Sequence, residues 1–324
     1  MDILTYQKDF LTYLQSKQWI YEPKNLYKPI DYILQLGGKR IRPVLTLMAA
    51  DIFSNDYKKA LPAALAVEVF HNFTLIHDDI MDAAPLRRGK ATVHEKWNIN
   101  TGILSGDAML IIAYQFFENY DNDTFKKLAK IFSKTALEVC EGQQYDVDFE
   151  VRNDVTEDEY LKMIEYKTAV LVGAAMKMGA IIAKASEIDA QKIYDYGRLL
   201  GIAFQLQDDY LDAFGNPETF GKQIGGDIIE NKKTFLYLKA IENASEKDKE
   251  QLILLFNNSL KITNEAKVAY VKDVFEKSGA ASLTQEAIKN YTQKAFDSLK
   301  DLNIDSDKKQ VLINFGESLM FRTV

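Results

Sequence analysis

Helical apolar periodicity runs from one end of this chain to the other, and it leaves little room for anything but an all-α fold. Apolar residues recur at three- and four-residue spacing near 3–19, 26–36, 41–53, 57–82, 102–119, 123–149, 156–182, 187–214, 226–243, 245–257, 263–276, 280–300 and 306–319. No convincing strand pattern stands between them. Six prolines and sixteen glycines in 324 residues are few for a protein that must turn every dozen residues. No fixed-period repeat, low-complexity tract or Pro/Ser-rich linker interrupts the series. The simplest expectation is one helical domain over 1–324.

Charge and cysteine usage narrow the function. The formal charge is −7, which argues against a nucleic-acid partner. An anionic ligand would need local basic residues or metal ions to overcome that repulsion. The single cysteine, Cys140, excludes an internal disulfide and points to a reducing, cytoplasmic setting. The N-terminus, MDILTYQKDFLTYLQ, has no basic region before an apolar run and does not read as a signal peptide. The most apolar stretches, 102–117 and 170–183, are interrupted by Asp107, Gln115 or Lys177 and fall short of the ~20 apolar residues that span a bilayer.

Several helices are apolar nearly all round, such as 61–76 and 199–206, and belong at the centre of a bundle. The polar residues that interrupt or close them need a reason, because buried charge without a partner is costly. Two interruptions are aspartate triplets with one spacing: Asp78, Asp79 and Asp82 in HDDIMD, and Asp208, Asp209 and Asp212 in QDDYLD. Residues four apart project from one face of a helix, about 5.4 Å along its axis. Like charges so placed repel unless a cation offsets them. Hard oxygen ligands on one face suit Mg²⁺, which takes one or two carboxylates together with phosphate oxygens and waters. One such triplet could equally be a solvated acidic face; two, each closing an apolar helix, argue for two metal-binding clusters with a diphosphate bridging their ions.

Basic residues flank these triplets. GGKRIRP places Lys39, Arg40 and Arg42 at the start of a helix, a natural anion site, though a plain helix–turn–helix corner would use the same residues. Arg87 and Arg88 follow the first triplet in LRRGKATVH, either as charge balance or as phosphate forks. His71 lies seven residues before Asp78 and so shares its face, where it could be a ligand-binding residue or a satisfied core histidine. Lys167 and Thr168 interrupt another apolar helix, and Gln205 stands three residues before Asp208. Lys222 and Lys232 follow the second triplet in glycine-rich sequence, where a basic flap or an ordinary surface loop would fit.

Taken in order, these motifs resemble the trans-prenyl diphosphate synthase (polyprenyl synthetase) family. They are GGKRIRP, Asp78–Asp82, RRG at 87–89, GDAML at 106–110, GQQYD at 142–146, Lys167-Thr168, FQLQDDYLD at 204–212, then GK and NKKT. They cover residues 37 to about 240; each is modest alone, and their order and spacing are specific. The resemblance implies an all-α bundle with a central active-site cavity, usually a homodimer, that condenses isopentenyl diphosphate head to tail with dimethylallyl, geranyl or farnesyl diphosphate. It implies Mg²⁺, three ions per site, held by Asp78 and Asp82, by Asp208, and by Asp212 through water. It implies that Arg87, Lys167, Lys222 and Lys232 contact the allylic diphosphate. Lys39, Arg42, His71 and Arg88 would form the isopentenyl diphosphate site, and Thr168 and Gln205 would stabilise the developing carbocation. Two departures stand out. Ala91 occupies a position where many relatives have proline, and the tail FGESLMFRTV carries only Arg322.

Product length should follow from what closes the cavity below the first triplet. Phe73 lies five residues before Asp78 and Thr74 four before, with Phe70 one turn further back. Helical angle alone does not choose between Phe73 and Thr74. An aromatic at the fifth position, a small residue at the fourth and no insertion in DDIMD resemble geranylgeranyl synthases. The expected product has twenty carbons, with farnesyl diphosphate as the alternative. A terpene cyclase would not need GGKRIRP, Arg88 or a second full triplet, and a non-catalytic partner subunit would tend to have lost a triplet.

Overall fold

The computed structural model describes residues 3–54, 56–216 and 224–320, and its architecture is all-α. In order come α1 Ile3–Gln15, α2 Lys24–Gln35, α3 Ile41–Phe53, α4 Leu61–Met81, the short α5 Val93–Lys96, α6 Ile99–Gln115, α7 Asn122–Val151, α8 Glu157–Ile164, α9 Val170–Ile182 and α10 Glu187–Phe214. Helices Gly226–Ile229, Phe235–Asn243, Glu246–Phe256, Asn264–Lys277, Ala280–Ser298 and Ser306–Met320 follow. Among the described residues no helix is long and apolar enough to cross a membrane. The chain divides into two compact units, Met1–Lys134 with Ala174–Tyr194, and Thr135–Gly173 with Asp195–Val324.

The first unit is organised around α4. Pro62 stands in its first turn, where a missing N–H does no harm. From Ala63 to Phe70 every residue is buried, as an all-round apolar helix requires. It packs against α3 and α6. Gly106 makes the second contact close: a Cβ there would overlap the His77 ring. The turn into α3 runs through Gly37 and Gly38 at φ 82° and 117°, conformations that residues with a Cβ rarely adopt.

In the second unit Tyr160, Ala169, Leu206, Phe235 and Ile288 form one apolar cluster, and Leu236, Leu252, Phe256, Val271 and Phe275 belong to another. α8 starts at a capping box, in which the Thr156 hydroxyl accepts from the Glu159 N–H and the Glu159 carboxylate accepts from the Thr156 N–H.

Four local features differ from the sequence reading. Residues 57–60 form a 3₁₀ turn rather than the first turn of α4. The run read as 156–182 stays helical but widens into a π-helical turn over Glu165–Ala169. The run read as 226–243 breaks after Ile229. Asn231 turns left-handed there at φ 63°, and Lys233 is buried with its Nζ donating to the carbonyls of Phe149 and Glu150 at the end of α7, at 2.9 and 3.0 Å. Residues 86–91 form a minimal antiparallel pairing, Leu86 with Ala91 and Arg87 with Lys90. Arg88 and Gly89 at its tip have φ of 54° and 72°, the two positive values of a tight I′-type hairpin turn.

Candidate functional site

The C-terminal end of α4 carries the first triplet. Its middle member, Asp79, is buried and held by the hairpin that follows. Arg87 Nε donates to both Asp79 oxygens at 2.9 Å, and Arg87 Nη2 lies 2.7 Å from Oδ1. Burial raises the Asp79 carboxyl, while Arg87 opposes the rise. Asp78 is half-buried, 3.6 Å from Arg87 Nη2, and Asp82 is exposed at the helix C-cap. The triplet therefore has one structural carboxylate flanked by two on the outer face.

One to two turns earlier lies a basic cluster. Arg42 Nη1 and His71 Nε2 are 3.2 Å apart. Burial, then Arg42, Arg88, Arg87 and Arg40, hold the His71 imidazole well below its usual range. It is therefore neutral at pH 7, with Nε2 accepting from Arg42. Arg40 forms a buried ion pair with Glu68 and donates to the Leu34 carbonyl. Arg88 donates to the Gly37 carbonyl, its guanidinium filling the space that a Cβ on Gly38 would need. The glycine pair thus serves both the turn and the seating of Arg88. Arg42 Nε is buried with no hydrogen-bond partner among the described residues. Lys39 is exposed. With Arg87 neutralised by the first triplet, the guanidiniums of Arg40, Arg42 and Arg88 against one buried glutamate leave this region positive within an acidic protein.

Phe73 and Phe70 lie on one side of α4, with ring centroids 5.5 Å apart. Phe70 is backed by Phe132 at 5.1 Å, and Phe132 by Tyr114 and Phe117 at 4.7 and 5.1 Å. The Thr74 hydroxyl is turned back to the His71 carbonyl at 2.8 Å.

The second triplet lies near the C-terminal end of α10, in the second unit. Asp209 accepts from the Tyr160 hydroxyl and from Gln205 Nε2 at 2.8 Å, and Gln205 Oε1 accepts from the Thr168 hydroxyl at 3.1 Å. Asp208 is half-buried, and Asp212 is buried with Oδ2 accepting from the Asp227 N–H at 3.0 Å. Burial raises the Asp209 and Asp227 carboxyls, and the neighbouring aspartates add to it. Lys232, 3.1 Å from Glu230, is raised by Asp227, Glu230 and Asp146 despite its burial. A divalent cation would relieve this crowding of carboxylates. Lys167 pairs with Asp146 at 2.6 Å. The π-helical turn that carries Lys167 and Thr168 approaches α7 at Gly142, where a Cβ would overlap the backbone of Tyr166 and Lys167. Lys222 and Arg322 lie outside the described residues.

Several participants escaped the sequence. Tyr160 reads as a core aromatic. Asp146 sits in the quoted GQQYD and Asp227 in the glycine-rich stretch after the second triplet, but neither had a partner to mark it. Glu68 did leave a signal, as a lone acid in an apolar helix.

A family model described as polyprenyl synthetase matches residues 23–276. A short chain isoprenyl diphosphate synthase of Methanothermobacter thermautotrophicus is 38% identical over 301 residues, covering 93% of this chain and 91% of that protein. A geranylgeranyl diphosphate synthase of Saccharolobus solfataricus is 36% identical over 296 residues, covering 90% and 88%. Among solved structures, a geranylgeranyl pyrophosphate synthase superposes with a TM-score of 0.95 at 57% identity over 99% of both chains. With motifs, fold and relatives in agreement over most of its length, the chain belongs to the polyprenyl synthetase family of trans-prenyltransferases.

Proposed function

We propose that this chain condenses isopentenyl diphosphate with dimethylallyl, geranyl and farnesyl diphosphates to give geranylgeranyl diphosphate. The observation that carries the reading is the basic cluster of Arg42, His71 and Arg88 beside the first triplet, a second anion site that a cyclase would not need. The neutral imidazole and the buried, unengaged Arg42 Nε suit a diphosphate oxygen. Lys39, Arg42, His71 and Arg88 are assigned to isopentenyl diphosphate, and Arg87, Lys167, Lys222 and Lys232 to the allylic diphosphate.

Members of the family use Mg²⁺ through their diphosphate-binding motifs. The donor set here fits: hard carboxylate oxygens at i, i+4 spacing, with the middle aspartate of each triplet already bonded to protein groups. Among the described residues no three acidic, histidine or cysteine side chains close into a ready-made cage. Mg²⁺ sites completed by substrate phosphates do not need one. Asp78 and Asp82, with Asp208 and Asp212, are assigned to three ions. When bound, the ions would neutralise charge on the departing diphosphate. Lysines and arginines add to that stabilisation. The Thr168 hydroxyl and the Gln205 carbonyl serve the allylic cation, and apolar helices exclude water that would quench it. The departing diphosphate removes the final proton, so no histidine base is required.

Twenty carbons, rather than fifteen, follows from Phe73 and Phe70 backed by Phe132, with no aromatic at position 74. We extend the proposal to a single catalytic domain, since the family model spans both units, and to a homodimer, since α6 exposes Ile103, Leu104 and Ile111. A cytoplasmic setting completes it, in keeping with a single cysteine. The test is to incubate the protein with isopentenyl and dimethylallyl diphosphates and Mg²⁺, with an EDTA control, and weigh the products. A twenty-carbon diphosphate that disappears with EDTA is expected. A fifteen-carbon product would sink the chain-length assignment, and no elongation from any allylic starter would sink the synthase itself.

A further inference from the structure

Nothing in an apolar core requires the hydroxyl of Tyr160. Its ring is 1% exposed among Met163, Leu206 and Phe235, where phenylalanine would fill the same volume. A buried phenol needs a partner, and here the partner is Asp209. With Tyr160 on one oxygen and Gln205 on the other, the middle aspartate of the second triplet receives a protein donor on each side.

This chain of bonds has a direction. Gln205 turns its amide nitrogen to Asp209, 2.8 Å from Oδ1, as an ionised carboxylate, which only accepts, requires. The Gln205 carbonyl oxygen then has one place left, beside the Thr168 hydroxyl, 3.1 Å away. Without a fixed Asp209 the amide could rotate by half a turn at little cost and present N–H where the oxygen had been. An N–H dipole so turned would oppose a nearby cation rather than stabilise it.

We infer that Tyr160 is a positioning residue for the condensation: acting through Asp209, it fixes the Gln205 amide so that its carbonyl oxygen meets the positive charge developing on the allylic carbon. The inference rests on the prenyltransferase reading above. Tyr160 touches no reacting atom, and its effect passes entirely through Gln205.

The test is a double-mutant cycle with Tyr160→Phe and Gln205→Ala, reading kcat, both KM values and the Mg²⁺ concentration for half activity. Tyr160→Phe should lower kcat between about ten- and a hundred-fold, the range expected of a misplaced catalytic group. KM for both diphosphates and the Mg²⁺ requirement should stay within about twofold of wild type. In the Gln205→Ala background the same change should have almost no further effect, because residues acting in series are not additive. Additive losses would overturn the route through Gln205, as would a raised Mg²⁺ requirement with kcat at saturating Mg²⁺ intact. Wild-type kcat in an active Tyr160→Phe enzyme would overturn the inference alone. A wild-type protein that elongates nothing would bring down the functional reading and this inference with it.

Discussion

Burial, with the repulsion of Asp209 and Asp212, raises the Asp227 carboxyl well above the usual carboxylate range. In the unfolded chain that carboxyl ionises near pH 4. Between that pH and its folded value the native state binds the extra proton, so stability falls as pH rises. Replacing it with a neutral isostere should therefore help most at high pH. Asp227→Asn is expected to raise the melting temperature of the metal-free protein clearly at pH 8 and far less at pH 5. Thermal denaturation at the two values checks this, and equal shifts would mean that Asp227 is not the source. His71 has the opposite sign. Its lowered imidazole binds a proton in the unfolded chain first, so its contribution is lost as pH falls below about 6.5. At this scale the aspartates were legible because charge in an apolar helix is conspicuous. Tyr160 was not, because an aromatic that anchors an acid and one that merely packs are written with the same letter.

The π-helical turn Glu165–Ala169 illustrates what is decided at the level of elements. Lys167 and Thr168 show in the sequence as polar interruptions, but the widened turn that carries them does not. It depends on α7 coming close, and α7 can do so because residue 142 has no Cβ. Gly142→Ala would place a methyl against backbone, which cannot swing aside as a side chain can. Overpacking of this kind typically destabilises by about 1–3 kcal/mol. The expected result is a lower urea midpoint, together with a loss of kcat beyond what stability explains, because Lys167 and Thr168 shift with the turn. An unchanged midpoint would mean that α7 moves away freely. The break after Ile229 is a similar case. Apolar periodicity continues across it, and only the seating of Lys233 on the last carbonyls of α7 shows why the helix stops.

For the whole molecule the open question is assembly. Leu104 and Ile111, two turns apart on α6, are each 60% exposed, and Ile103 beside them is 41% exposed, which gives α6 an apolar outer stripe. If a second copy covers them, Ile111→Glu should shift the protein from dimer to monomer in sedimentation velocity while leaving its helical circular dichroism intact. A wild-type monomer would remove the homodimer from the proposal. The all-α class, the two acid triplets, the basic turn and the order of motifs that marks the family were all determined by the sequence itself. Periodicity and charge are local properties, and a fixed spacing on a helix implies a shared face before any tertiary contact forms. The partners of those residues were left to the tertiary structure: Arg87 on Asp79, Arg88 over Gly38, the guanidiniums around a neutral His71, and the run from Thr168 through Gln205 and Asp209 to Tyr160. Each joins residues from separate elements, and which side chains meet depends on how closely two helices pack, a distance set by glycines and burial rather than by any spacing along the chain.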